Sequence, residues 1–368
     1  MAKAQETTLE IDLSKLKHNF EFIKSRLNNN TKVIAVVKAF AYGSDAEAVA
    51  NYLQKLDVDY FAVAYVNEGI SLRKAGVYKP IIVLHPLPVS FKLLIDHCLE
   101  PNLYSFKVLN EFIAVAKHLK QNNYPVHLKF NTGLNRLGFT LEDVQEITAL
   151  TNNTSSIKTS SIFSHLAASE DLNEHEFTNR QIETFKTIKS AFETLSHHKP
   201  FSHLSNTSGI LNYPEAHFDA VRSGIGLYGF GNSENHDKNL LPIASLKSVI
   251  SQLHTIKKDE SIGYNRAFIA KKDIRTATIP IGHADGISRQ YGNGKGFVFI
   301  NSQKAYIVGN VCMDMIMVDV TTIACQEGDE VVIYDGVHKA SEFAKAGCSI
   351  SYEIITATSQ RIKRKFYQ

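Results

Sequence analysis

The stretch Val33-Ile34-Ala35-Val36-Val37-Lys38 decides the fold. An unbroken apolar run, mostly β-branched, reads as a strand covered on both faces, the habit of parallel sheets. Further runs repeat the plan: Tyr60–Val66, Ile81–His85, Pro101–Ser105, Val126–Asn131, Ser160–Leu166, Phe201–Asn206 and Ala220–Gly229. Amphipathic stretches such as Asp45–Leu56, Val108–Leu119 and Phe177–Leu195 lie between them. Eight strand–helix units over roughly 200 residues predict an α/β fold closed as a (β/α)8 TIM-type barrel. An open doubly wound sheet is the competitor, and the missing glycine fingerprint after the first strand disfavours a dinucleotide-binding one.

Beyond about residue 236 the texture changes. Asn232–Asn239 is polar and loop-like, and short strands follow at Ser245–His254, Arg275–Pro280, Gly296–Ile300, Lys304–Val308 and Glu330–Tyr334. Glycine and asparagine punctuation between them predicts a mostly antiparallel β domain. Ile350–Lys363 has a helical pattern with basic residues suited to a helix C-terminus. The expected domains are a barrel over 1–235, whose first few residues are free to join the second domain, and a β domain over 236–368.

The 368 residues carry a formal charge of +3, with 40 basic against 37 acidic side chains. That balance argues against nucleic acid or an acidic membrane as the main partner. No apolar run spans a bilayer, and Met1 to Asp12 lacks the layout of a signal peptide. Cys98, Cys312, Cys325 and Cys348 lie far apart with no metal spacing, so reduced thiols in a cytoplasmic, metal-free protein are expected.

Barrel chemistry sits at the C-terminal ends of strands. Those ends supply Lys38, His85, Asn131 with Arg136, His165, Asn206 with Thr207, and Arg222. A lone lysine at a strand end usually snorkels to water. In a desolvated site its pKa falls, as a Schiff-base lysine requires. Phosphate sites favour the loops after strands seven and eight. There Ser205-Asn-Thr-Ser-Gly209 offers hydroxyls, and Arg222-Ser-Gly-Ile-Gly226 offers backbone amides. A lysine on strand one and a phosphate cradle on strands seven and eight fit one ligand, pyridoxal phosphate.

The segment Ala35-Val-Val-Lys-Ala-Phe-Ala-Tyr-Gly43 resembles the cofactor-lysine motif of the alanine racemases, which are fold type III pyridoxal enzymes. Further similar segments follow in family order. They are His127-Leu-Lys-Phe-Asn-Thr-Gly-Leu-Asn-Arg-Leu-Gly138, Phe163-Ser-His-Leu166, Arg222-Ser-Gly-Ile-Gly-Leu-Tyr-Gly229, Gly263-Tyr264, Gly282-His-Ala-Asp-Gly286, Cys312-Met-Asp314 and Tyr352-Glu353. The resemblance implies that Lys38 binds pyridoxal 5'-phosphate covalently and acts as one acid/base group. Tyr264 would be the other, reaching across a homodimer from the partner subunit. Tyr42, Asn206, Thr207, Tyr352 and the amides of Gly224 and Ile225 would hold the cofactor at its phosphate end. His165 would lie along the pyridine ring, and Arg222 would meet its nitrogen. Arg136 and the Met313 amide would hold the substrate carboxylate. Lys129 matches a lysine that some members carry as a carbamate.

The implied reaction interconverts L-alanine and D-alanine and supplies D-alanine for peptidoglycan. A tyrosine has a pKa of about 10 and needs a cationic surrounding to act as a base, for which His165 and Arg222 are candidates. Phe40, Ser44 and Asp45 depart from the family pattern around the lysine, and His283 replaces a common tyrosine. These departures leave a broader racemase, acting on serine or longer side chains, as the alternative. Cys312 reads as core filler. Barrel-type decarboxylases carry a triple-glycine phosphate loop absent from this chain. A non-catalytic cofactor-binding barrel would lack the β domain and Tyr264.

Overall fold

A computed structural model describes residues 4–368. Met1–Lys3, where the leader reading begins, lie outside the described residues. The chain divides into two compact units. One holds Lys17–Ala41 and Ala46–Leu240, and the other holds the described residues up to Leu16 together with Tyr42–Asp45 and Leu241–Gln368.

The first unit is a closed parallel barrel of eight strands. They are Lys32–Val36, Tyr60–Val63, Ile81–Val83, Glu100–Leu103, Tyr124–Lys129, Ile157–Phe163, Phe201–His203 and Ala220–Ser223. The first and last pair from Lys32 opposite Ala220 to Ala35 opposite Ser223, which closes the ring. Val33, Ile34 and Ala35 are at most 1% exposed, as a strand covered on both faces must be. The helix Ala46–Lys55 buries Ala46, Val49, Ala50 and Leu53, one stripe at helical spacing. Burying each larger aliphatic side chain contributes about 1.5–3 kcal/mol.

The second unit is built on one nine-stranded sheet. Its order is Gln252–Ile256, Ile274–Ile279, Ile316–Asp319, Gln303–Val308, Phe297–Ile300, Glu330–Tyr334, Ala244–Val249, Thr8–Asp12 and Lys363–Tyr367. All neighbours run antiparallel except the last pair, which is parallel.

Several local expectations need correction. The run Ser245–His254 is two strands, because the chain leaves the first at Ile250 and re-forms the second from Gln252. Within 232–239 lies a single helical turn, Glu234–Asp237, whose Ser233 side chain accepts from the His236 amide. The last helix is Ser351–Ala357 and does not reach Lys363. Thr358 leaves helical geometry, and its hydroxyl lies 3.1 Å from that of buried Tyr334. Lys363–Tyr367 then pairs with Thr8–Asp12, whose free edge satisfies backbone groups that a longer helix would have paired internally. Cys312, expected as core filler, is only partly buried.

Candidate active site

Lys38 follows the first barrel strand and opens an unusual turn. Ala39, Phe40, Ala41 and Tyr42 all have positive φ, between 51° and 56°. Left-handed geometry costs roughly 1–2 kcal/mol per non-glycine residue and persists only where surroundings dictate it. Hydrogen bonds that hold the turn include the Ala41 amide to Val37 O at 3.0 Å and the Ala39 amide to Glu68 Oε1 at 2.7 Å. The other oxygen of Glu68 accepts from the Ala64 and Tyr65 amides at 2.6 and 3.1 Å. One carboxylate thus ties the lysine turn to the end of the neighbouring strand.

Basic groups cluster around Lys38 in the barrel unit. Burial and Arg136 lower the pKa of Lys38, Glu68 opposes them, and Arg222 adds to the lowering. Burial, with Arg222 and Arg136 nearby, brings Lys129 down to about 7. Arg136 is exposed on a loop shaped by Asn131, whose side chain accepts from the amides of Gly133 and Asn135. His85 stands apart, packed against the rings of Tyr65 and Tyr104.

Arg222 is 4% exposed and fully engaged. It donates to the carbonyls of Ser164 and Leu204 at 2.7 and 2.8 Å, to His165 Nδ1 at 3.0 Å and to His203 Nδ1 at 2.5 Å. Burial and Arg136 lower its pKa to about 9, so it stays a cation at neutral pH. His165 was expected to share a cationic surrounding, and here the structure differs. Burial and then Arg222 hold its pKa well below the ordinary value, so it is a neutral acceptor. Arg222 alone is the cation of that pair.

In the loops after strands seven and eight, Thr207 Oγ1 accepts from the Gly224 and Gly226 amides at 3.3 and 3.2 Å. A Cβ on Gly226 would lie 2.7 Å from Thr207 Cγ2, so glycine is required for this approach. Asn206 accepts from the Gly209 amide at 2.8 Å and from Ser169 Oγ at 2.8 Å. Ile225 is buried beside them.

The remaining expected site residues lie in the β unit. Tyr42 and Tyr352 face one another with ring centroids 6.0 Å apart. Tyr264 is 72% exposed on a one-turn helix between Gly263 and Asn265, both at positive φ. It borders an open cavity of about 580 Å³ that Met313, Met315, Met317, Cys312 and His254 also line. The Cys312–Met313 loop is pinned from outside: its carbonyls accept from the His283 and Ala284 amides at 2.9 and 3.0 Å. A Cβ on Gly282 would stand 2.3 Å from Met313 O.

Several residues that build the site escaped the sequence reading. Phe163 stacks on His203 at 4.6 Å and carries Lys129 Nζ and Arg222 Cζ over its ring, each 5.3 Å from the centroid. Such contacts offset part of the cost of burying cations. Arg361 chelates Asp285 at 2.7 and 2.9 Å and reaches Asp314 at 2.6 Å, bracing the Met313 loop. Phe163 and Asp285 do stand inside the motif segments quoted above, which was the available signal. Glu68 and Arg361 stand in none.

Residues 11–231 match the family described as alanine racemase, N-terminal domain, and residues 243–366 match alanine racemase, C-terminal domain. The alanine racemase of Thermodesulfovibrio yellowstonii is 36% identical over 368 residues, spanning 97% of this chain and 96% of its own. The alanine racemase of Clostridium difficile superimposes with a TM-score of 0.91 at 32% identity, covering 100% of this chain and 97% of that one. That of Bartonella henselae, solved with covalently bound pyridoxal phosphate, gives 0.90 at 26% identity over 99% and 100%.

Proposed function

This chain belongs to the alanine racemase family, and we propose that it interconverts L-alanine and D-alanine by two-base proton transfer. The observation that carries the reading is Lys38, a lysine of lowered pKa among Lys129, Arg136 and Arg222 at the C-terminal ends of barrel strands. Among the described residues, Glu68 is the carboxylate whose charge acts on that lysine.

Members of this family use pyridoxal 5'-phosphate. The residues present fit it, since a mouth where Lys38, Lys129, Arg136 and Arg222 outweigh the Glu68 carboxylate suits a ligand bearing a phosphate and a phenolic oxygen. Lys38 would hold the cofactor covalently, and Tyr42, Asn206, Thr207, Tyr352 and the amides of Gly224 and Ile225 its phosphate end. His165 would lie along the ring and Arg222 would meet its nitrogen. When bound, the cofactor supplies an electron sink that acidifies the substrate Cα.

The chain's residues do the rest. Removing a proton from one face of Cα and returning one to the other takes two acid/base groups on opposite sides. Lys38 serves one face, and burial already favours its neutral, proton-accepting form. Tyr264 serves the other, from the partner subunit of a homodimer. Arg136 and the Met313 amide hold the substrate carboxylate. Lys129, with a pKa near 7, offers the free amine that carbamate formation requires, and the resulting anion would fix the Arg136 fork. The product D-alanine would serve peptidoglycan in the cytoplasm, with no part for metal, membrane or nucleic acid.

The cofactor-loaded protein, given L-alanine, should lose optical rotation until both enantiomers are equal. A panel with L-serine and longer side chains tests the broader racemase, which should still run more slowly than on alanine. A loaded protein that racemises no amino acid would refute the reading.

A further inference from the structure

The barrel interior holds a polar chain leading to Arg222, and none of these roles uses its other members. It starts at Glu100, the first residue of its strand, whose side chain keeps 13% exposure. Glu100 Oε2 lies 2.8 Å from His127 Nε2, and His127 Nδ1 lies 2.6 Å from Ser161 Oγ. Ser161 Oγ lies 3.1 Å from His203 Nε2, and His203 Nδ1 lies 2.5 Å from Arg222 Nη1. His127, Ser161 and His203 are completely buried. Polar groups so deep in a barrel interior, where branched apolar side chains dominate, call for a reason.

The two ends fix the direction of every bond. A guanidinium only donates, so His203 Nδ1 accepts and its proton sits on Nε2, facing Ser161. A carboxylate only accepts, so His127 Nε2 donates to Glu100. Ser161 then accepts from His203 and donates to His127 Nδ1, and all four bonds point from Arg222 towards Glu100. Were His127 doubly protonated, both imidazoles would donate to Ser161 and strand its hydroxyl proton without this acceptor. Leaving a buried donor unpaired costs roughly 1–3 kcal/mol. The neutral pattern leaves no bond of the chain unmade, and burial with Arg222 also holds His203 neutral.

Arg222 needs compensation. Among the described residues it has no ion-paired carboxylate. Glu100, in turn, has among the described residues no lysine or arginine bonded to it, only His127. Arg73 feels its charge from the helix Val66–Lys74 but gives its donors to the carbonyls of Val77, Lys79, His97 and Cys98. Tyr60 and Tyr124 also face that charge: burial first pushes both phenols up, followed by Glu100 at Tyr60 and by Cys98 and then Glu100 at Tyr124. We propose that Glu100 is the remote counter-charge of Arg222, and that His127, Ser161 and His203 are positioning residues that transmit it as one directed hydrogen-bond relay. Any consequence at the cofactor rests on the reading that Arg222 meets the cofactor ring.

The test uses holoenzyme labelled with ¹⁵N in its histidine rings. His127 and His203 should both appear as neutral Nε2–H tautomers. Glu100→Gln, nearly isosteric but uncharged, should shift the ring signals of His127 and, through Ser161, those of His203. In a Ser161→Ala background the same change should leave His203 unmoved. Should Glu100→Gln not fold, Glu100→Asp, which keeps the charge but shortens the reach, should move the same signals less. A protonated or Nδ1–H His203, or a His203 shift that survives Ser161→Ala undiminished, overturns the relay. The cofactor's visible absorbance separates the two readings. Histidine coupling with a displaced band supports both, whereas coupling with an unmoved band keeps the relay and removes Arg222 from the cofactor.

Discussion

In the barrel unit, Lys129 and Arg222 are 5% and 4% exposed. Arg222 is surrounded by carbonyls and imidazoles, and both cations lie over the Phe163 ring. In the β unit, Tyr264 and Met313 are 72% and 59% exposed around an open cavity, and hydrogen bonds hold the backbone beneath them more than their side chains. One region has already met the desolvation cost of its charges and needs only an anion. The other leaves tyrosine and methionine surface uncovered, which marks an interaction face more often than idle surface. Preorganised charge in one unit and uncovered apolar surface in the other are what the shared dimeric site proposed above would require of them.

The largest expected effects come from splitting those halves. Lys38→Ala and Tyr264→Phe should each reduce racemisation by roughly 10⁴-fold or more, the upper range for a lost acid/base group. Mixed one to one with subunit exchange, the two inactive proteins should recover about a quarter of wild-type activity, because half the dimers are mixed and one site in two is intact. Exchange shown by mass spectrometry with no return of activity would separate the two regions functionally.

A smaller effect isolates the desolvation of the barrel mouth. Lys129 titrates near 7 in the folded state against about 10.5 unfolded. Between those values the unfolded chain binds more protons, so stability rises with pH. The burden of the buried charge is complete below about pH 7. Lys129→Met should therefore stabilise the holoenzyme at pH 7 by on the order of a few kcal/mol and flatten its denaturation profile from pH 7 to 10 in buffer free of carbon dioxide. Added bicarbonate should stabilise the wild type and leave the variant unchanged. Equal slopes for the two proteins would mean that water reaches Lys129.

Gly282→Ala probes the β unit instead, where backbone contacts do the positioning. Its Cβ would press on Met313 O and force the 312–313 loop to shift. Overpacking of this kind costs roughly 1–3 kcal/mol. Chemical denaturation should record that loss, and the KM for alanine should rise more than kcat falls. A variant with unchanged KM would remove the Met313 amide from the substrate site.

How much of this was legible follows the same division. The barrel strands and their terminal residues Lys38, Lys129, His165 and Arg222 could be read because apolar runs and strand-end chemistry are local signals. The strands Thr8–Asp12, Ile316–Asp319 and Lys363–Tyr367 could not, since pairing such as Thr8 with Lys363 depends on partners distant in sequence. The helix expected through Lys363 failed for that reason, as a tertiary edge outweighed local pattern. Glu68 was illegible too, because its role is to accept from amides on two other segments. His165 was placed correctly after its strand but given the wrong charge, since only the fold shows that Arg222 donates to it. The roles of the site residues came from motif resemblance and stand with the experiments above.

The smallest effect concerns the join between the regions' sequences, the left-handed turn after Lys38. Ala39 is exposed, so Ala39→Gly removes almost no packing. It relieves a left-handed residue at φ 52°, a gain of roughly 1–2 kcal/mol. Against that, glycine loses more backbone entropy on folding, about 0.5–1 kcal/mol. Relief outweighs the entropy loss, so the variant should be slightly more stable, by ~0.5–1 kcal/mol, in reversible denaturation of the holoenzyme. Activity should move the other way. Alanine resists rearrangement of the turn because few other backbone states are open to it, whereas glycine lets Lys38 wander from its place beside Arg136 and Glu68. A modest fall in kcat with higher stability would identify the turn as strain kept for positioning. A fall in both would show that Ala39 is unstrained in place, held there by hydrogen bonds such as those of the Ala39 and Ala41 amides.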